Sequence, residues 1–134
     1  MRLVVDANII ISALIRDSVI RGILTRGSFE FLAPDFIIEE IYKHEKYICE
    51  KSGLAKEDFE LLLSFIIENI RIMPKKEYEK FFEEAGQLIK DLDDVPFVAV
   101  ALASQVDGIW SDDQHFLAQN KISIFKTKDM INLM

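Results

Sequence analysis

Five short runs rich in β-branched or aromatic residues recur along the chain, separated by longer stretches of helical period. Leu3-Val4-Val5, Phe29-Glu30-Phe31-Leu32, Ile70-Arg71-Ile72-Met73, Gly108-Ile109-Trp110 and Ile122-Ser123-Ile124-Phe125 read as strands. Ala33-Pro34 and Pro74 stop the second and third. Helices are predicted from about Ile9, around Val19-Ile20 with Ile23 and Leu24, and from Asp35 with Phe36, Ile37, Ile41 and Ile48 in phase. Another follows Ser52-Gly53 and carries Phe59, Leu62, Leu63, Phe65, Ile66 and Ile67. Glu77 to Ile89 is amphipathic, with Phe81, Phe82, Ala85 and Ile89 inward, and Thr127 to Met134 forms a terminal helix. After Asp94-Val95-Pro96 comes Phe97-Val98-Ala99-Val100-Ala101-Leu102-Ala103, apolar around its whole circumference and therefore a helix buried on several sides. Strands that alternate with helices pair in parallel, because each crossover is long enough to hold a helix. The pattern predicts a three-layer α/β/α, Rossmann-like fold with a central, mostly parallel sheet of about five strands.

The length of 134 residues suits a single domain spanning 1–134, large enough to bury roughly two thirds of its unfolded surface. No repeat, low-complexity segment or linker interrupts it. No apolar run is long enough to span a bilayer, and Asp6 inside the first apolar run argues against a signal peptide. Cys49 has no partner for an internal disulfide, and with only His44 and His115 besides it a zinc site is not expected. The expected location is a reducing cytoplasm. The net charge of −7 at first opposes nucleic-acid binding. Acids gathered in one pocket around divalent cations would invert that local sign, so a phosphodiester substrate stays open.

In parallel sheets, ligands bind beyond the carboxyl ends of the strands, where the strand order switches. Acids fall at those ends. Asp6 closes the first strand, and Ser111, Asp112 and Asp113 follow the fourth. Asp91, Asp93 and Asp94 open the buried helix, and Glu39 and Glu40 lie in the helix after the second strand. Two carboxylates at about 4 Å repel by roughly 4 kcal/mol at an effective dielectric of 20, so such a cluster needs protons, hydrogen bonds or metal. Oxygen ligands suit Mg²⁺ or Mn²⁺. Taken singly, each acid has a plainer role. Asp93 or Asp94 can cap the helix ahead of Pro96, Asp35 beside Pro34 is a favourable charge at a helix start, and Asp17, Asp58 and Asp107 read as turn or cap residues.

Four stretches in order bring these acids close to a known family. Val4-Val5-Asp6-Ala7-Asn8 with Ser12, Ala33-Pro34-Asp35-Phe36-Ile37-Ile38-Glu39-Glu40-Ile41, Asp91-Leu92-Asp93-Asp94-Val95-Pro96-Phe97-Val98-Ala99 and Trp110-Ser111-Asp112-Asp113-Gln114-His115-Phe116 together resemble the PIN domain. This family of metal-dependent nucleases includes toxin ribonucleases of the VapC type. The resemblance covers nearly the whole chain and implies a PIN-like sheet. It matches Asp6, Glu40, Asp94 and Asp113 to the catalytic acids, all metal ligands, with Asp91 as an accessory ligand. Glu39 rivals Glu40, because helix register is not fixed by one sequence, and Asp112 rivals Asp113. Asn8, Ser111 and Asp112 would orient the ligands.

The implied activity is hydrolysis of RNA, with one or two Mg²⁺ or Mn²⁺ ions activating water and stabilising the leaving oxygen, so that no histidine is needed as a base. Arg16, Lys43 and His44 are candidates for contact with the substrate, with Lys43 and His44 three and four places after Glu40. Lys46, Lys51, Lys75 and Lys76 read as solvated surface charges. His115 reads as a cap or packing residue near the site. The family further implies a small antitoxin partner and a homodimer, for which Phe81-Phe82 and the stripe from Phe59 to Ile67 would be available if they did not fill the core. The alternative is a non-catalytic PIN-like scaffold that binds RNA or protein. A receiver domain would require an Asp after the third strand, where Met73-Pro74 stands, and an Asp-x-Asp phosphatase fails on Asn8.

Overall fold

The computed structural model describes residues 1–16 and 18–134, so Asp17 lies outside the described residues. Strand β1 (Arg2–Val5) leads into α1 (Ala7–Ile15) and α2 (Ser18–Thr25). Strand β2 (Glu30–Pro34) is followed by α3 (Phe36–Lys43), α4 (Glu45–Ser52) and α5 (Lys56–Ile67). After β3 (Ile70–Met73) come α6 (Lys75–Tyr78), a 3₁₀ turn at Glu79–Phe81, α7 (Phe82–Leu88) and α8 (Val95–Ala103). Strand β4 (Gly108–Trp110), a 3₁₀ stretch at Gln114–Ala118, β5 (Ile124–Phe125) and α9 (Thr127–Asn132) complete the order.

The five strands form one sheet in the order β3-β2-β1-β4-β5, and every pairing is parallel. Val4 sits between Leu32 of β2 and Ile109 of β4. Leu3, Val4 and Val5 are fully buried, which is why β1 reads as a continuous apolar run rather than an alternation. The chain travels outward from β1 through β2 to β3, then returns to the other side of β1 as β4. The strand order therefore switches between β1 and β4, and their carboxyl ends carry Asp6 and Ser111. Helix α8 packs over this centre with every residue from Val95 to Ala101 buried, as its lack of a polar face requires.

Local chemistry explains where the elements depart from the sequence reading. Strand β2 continues through Ala33 and Pro34, which pair with Ile72 and Met73. A proline at the last strand position removes a donor where the ladder is ending, so it closes the strand instead of preceding its end. The helix predicted through Ile48 divides at His44, whose N–H returns to Ile41, and Ile48 belongs to α4. The segment from Glu77 to Ile89 is likewise not one helix, since Tyr78 is drawn inward and its hydroxyl donates to Asp35 at 2.6 Å. Strand β5 is only Ile124–Phe125, and β4 approaches it so closely that a Cβ on Gly108 would stand 2.4 Å from the Ser123 carbonyl.

On α5, Phe59, Leu63 and Ile66 face the core, whereas Leu61 and Phe65 are exposed. Phe81 and Phe82 are half-buried against the core. Among the described residues, no helix is long and apolar enough to cross a membrane.

Candidate active site

Asp6 follows the last residue of β1, and its N–H donates to the Trp110 carbonyl at 3.1 Å, fixing it against β4. Its side chain is only 3% exposed. The Ser111 hydroxyl donates to Asp6 Oδ2 at 2.7 Å, and Ser111 Oγ in turn accepts the Asp113 N–H at 3.0 Å. Burial pushes the Asp6 carboxyl up to about 6, with the Asp113 charge adding to the rise; the Ser111 hydroxyl and the backbone amides of Asn8 and Ala7 oppose it. Asn8 is exposed and lines a cavity of about 260 Å³ with Ser12, Asp112 and Asp113.

Asp94 stands at the N-cap of α8 yet makes no capping hydrogen bond. Its Oδ2 is buried without a hydrogen-bond partner. Burial is the first cause that pushes this carboxyl up to about 7; the charges of Asp6, Asp91 and Asp113 raise it further, and His115 lowers it. The His115 imidazole Nδ1 lies 3.7 Å from Asp94 Oδ2 and 3.5 Å from Asp113 Oδ1. One donor atom each from Asp91, Asp94 and His115 lies within 4.8 Å of the others, a group that can hold a metal ion. A buried carboxylate oxygen with no proton donor, surrounded by other carboxylates, is the arrangement a cation satisfies best, so the residues fit a metal.

The remaining sequence candidates divide between this rim and other work. Glu40 is turned inward on α3, its side chain 13% exposed, and pairs with Lys43 Nζ at 3.5 Å. Lys43 also reaches Asp93 Oδ2 at 3.7 Å, so its ammonium joins α3 to the turn before α8. Glu39 is exposed and faces a separate cavity. Asp112 accepts both the N–H and the hydroxyl of Thr127, at 2.7 and 2.5 Å, and thereby ties the loop after β4 to α9. Thr127 Oγ1 also accepts the Trp110 indole N–H at 3.1 Å. Arg16 is exposed at the C-cap of α1, and His44 is exposed at the break between α3 and α4. Asp35 is more than a charge at a helix start: it accepts from Tyr78 and from the Lys75 N–H.

A family model described as the PIN domain matches residues 4–132. The chain belongs to the PIN domain family. No curated protein matches it significantly. PIN domains are generally metal-dependent nucleases, and the all-parallel sheet with acids at its switch point gives this PIN domain the nuclease-type fold.

The contribution of the His115 side chain was the least visible from sequence. The His115 backbone N–H donates to Asp113 Oδ1 at 2.9 Å, so the cap of this turn is Asp113 rather than His115. The same turn swings the imidazole back over the acids. The signal was the Asp-x-His spacing itself, because an Asp that accepts the N–H two residues on folds the chain back toward its own carboxylate.

Proposed function

We propose that this PIN domain is a Mg²⁺- or Mn²⁺-dependent endoribonuclease that hydrolyses phosphodiester bonds in RNA. The observation that carries the proposal is the unpartnered, buried Asp94 Oδ2 at the meeting point of Asp6, Asp91, Asp113 and His115. Asp6, Asp94 and Asp113, with Asp91 beside them, would hold the ion, and Glu40 would share a second or orient the attacking water. Such a cation supplies charge to the phosphoryl oxygens and lowers the pKa of water.

The chain's own residues set the geometry. Ser111 fixes the Asp6 carboxylate through its hydroxyl and the loop of Asp113 through its oxygen. Asp112 anchors that loop to α9. Lys43 pairs with Glu40 and offsets Asp93, which lowers the repulsion a polyanion meets on approach. Arg16 and His44 are exposed and free to meet the RNA backbone. The toxin role, a small antitoxin, a homodimer and a cytoplasmic location belong to this proposal on the family resemblance.

Purified protein and labelled single-stranded RNA test it. Cleavage is expected with Mg²⁺ or Mn²⁺ and is abolished by chelation and by Asp94→Asn. Absence of cleavage with both ions, or cleavage that survives Asp94→Asn, overturns it and leaves a non-catalytic scaffold.

A further inference from the structure

A second cavity, of about 390 Å³, opens on the same carboxyl rim of the sheet, over β2 and β3 rather than β1 and β4. Phe36, Phe82, Tyr78 and Pro96 supply its apolar walls, and Glu39 and Lys75 its polar ones. The walls are braced. Tyr78 is buried, with its hydroxyl donated to Asp35 and its ring edge-on to Phe82 at 5.6 Å. Asp35 is occupied by that hydroxyl and by the Lys75 N–H. Glu39, by contrast, is exposed and keeps its carboxylate clear of hydrogen bonds and ion pairs among the described residues.

We propose that this cavity receives an unpaired guanine base of the RNA, with Glu39 reading its Watson–Crick edge and the Phe36 and Phe82 rings flanking its face. The inference rests on the ribonuclease reading and adds to it a base preference and a single-stranded substrate. Its location suits a base. Pro96 lies two residues after Asp94 and Glu39 is adjacent to Glu40, so the cavity borders the acids through α8 and α3. Neighbouring strands lie about 4.8 Å apart, which places the rim of β2 and β3 roughly 5–10 Å from Asp6 on β1. That is the reach of one nucleotide, so a phosphate at the acids delivers an adjacent base to the cavity.

The chemistry selects among bases. Unstacked RNA bases are bound by aromatic faces and read along their Watson–Crick edges. A carboxylate only accepts, and its two oxygens match guanine N1–H and N2–H together. Adenine and cytosine present one amino group beside an acceptor that a carboxylate repels, and uracil presents a single N–H. Lys75 lines the same cavity and offers a cation to a flanking phosphate.

The test separates base reading from catalysis by using uncharged nucleosides in the presence of chelator, so that neither metal nor phosphate contributes. Guanosine, adenosine, cytidine and uridine are titrated into ¹⁵N-labelled protein, and amide shifts of Glu39, Lys75 and Tyr78 are followed. Guanosine is expected to bind about tenfold more tightly than the other three, the size of a bidentate contact, and Glu39→Gln is expected to remove that margin. Glu39 is exposed, so the variant folds, which its unshifted spectrum elsewhere will verify. Equal affinities for the four nucleosides, shifts that avoid these residues, or a guanosine margin that survives Glu39→Gln each overturn the proposal. Guanosine binding in a protein that cuts no RNA would sustain the cavity and overturn the nuclease. Cutting without base preference would do the reverse.

Discussion

Ser111 and Asp6 stand 105 positions apart, and a 2.7 Å hydrogen bond joins them inside the protein. The hydroxyl is the only side chain among the described residues that donates to this buried carboxylate, and its oxygen simultaneously holds the Asp113 N–H. One side chain thus orients two of the proposed ligands. Ser111→Ala is expected to lower stability by about 1–3 kcal/mol, the cost of leaving buried polar groups unsatisfied. Divalent-cation affinity should fall with it, because Asp6 becomes harder to ionise. Chemical denaturation and calorimetric titration with Mn²⁺ measure the two effects, and an unchanged affinity would contradict the orienting role.

The acids also set a pH dependence for the metal-free protein. Asp6 and Asp94 ionise at about 6 and about 7 in the folded state, against an ordinary 3.8. Between those limits the folded state binds more protons than the unfolded one, so stability falls as pH rises. The midpoint of thermal unfolding in chelator is expected to be higher at about pH 5 than at about pH 8. At the higher pH, Asp94→Asn should raise it by removing a buried charge. A flat profile from pH 5 to 8 would refute the assignment of both carboxyls as buried and mutually repelling.

Cations should reverse that loss. Adding Mg²⁺ or Mn²⁺ at about pH 8 is expected to stabilise the wild type and to leave Asp94→Asn unmoved, and the gain should shrink below about pH 6 as protons compete. Differential scanning fluorimetry suffices. Equal shifts in the two proteins would place the cation elsewhere.

Asp112 and Asp113 are neighbours with different tasks, and parallel alanine variants separate them. Asp112→Ala removes both acceptors of Thr127 and is expected to cost about 1–3 kcal/mol of stability with little direct loss of cation affinity. Asp113→Ala should cost more in cation affinity than in stability. The opposite pattern would make Asp112 the ligand.

Gly108→Ala tests the packing behind the site. The new Cβ would meet the Ser123 carbonyl and the Phe125 ring, so β5 must shift. A loss of about 1–3 kcal/mol is expected from overpacking, read by denaturant unfolding. A neutral result would mean that β5 is not held where the structure has it.

Much of this arrangement was legible in the sequence, for reasons that differ by residue. Asp6 and Asp94 stood out because a charge beside a long apolar run is costly unless it has a purpose. The sheet followed from the alternation of short apolar runs and helical periods. Glu39 and Glu40 could not be told apart, since a small change in helix phase exchanges them. Packing of Ile37 and Ile41 into the core sets that phase, turning Glu40 toward Lys43 and Glu39 toward the second cavity. Tyr78 and Asp35 are 43 residues apart, and no periodicity links them. The exposed Phe65 was read with the inward residues because an apolar pattern does not reveal how much of it a helix buries.

The strand order also has a consequence for synthesis. A ribosome makes β1 first, yet β1 ends between β2 and β4, and β4 emerges about a hundred residues later. Until then Asp6 has neither the hydroxyl of Ser111 nor the neighbouring Asp113. A nascent chain halted between Asp94 and Gly108 carries Asp6, Glu40 and Asp94 but not the element that draws them into one centre. Under the ribonuclease reading, the message being translated and its ribosome are therefore spared until nearly the last strand has been made.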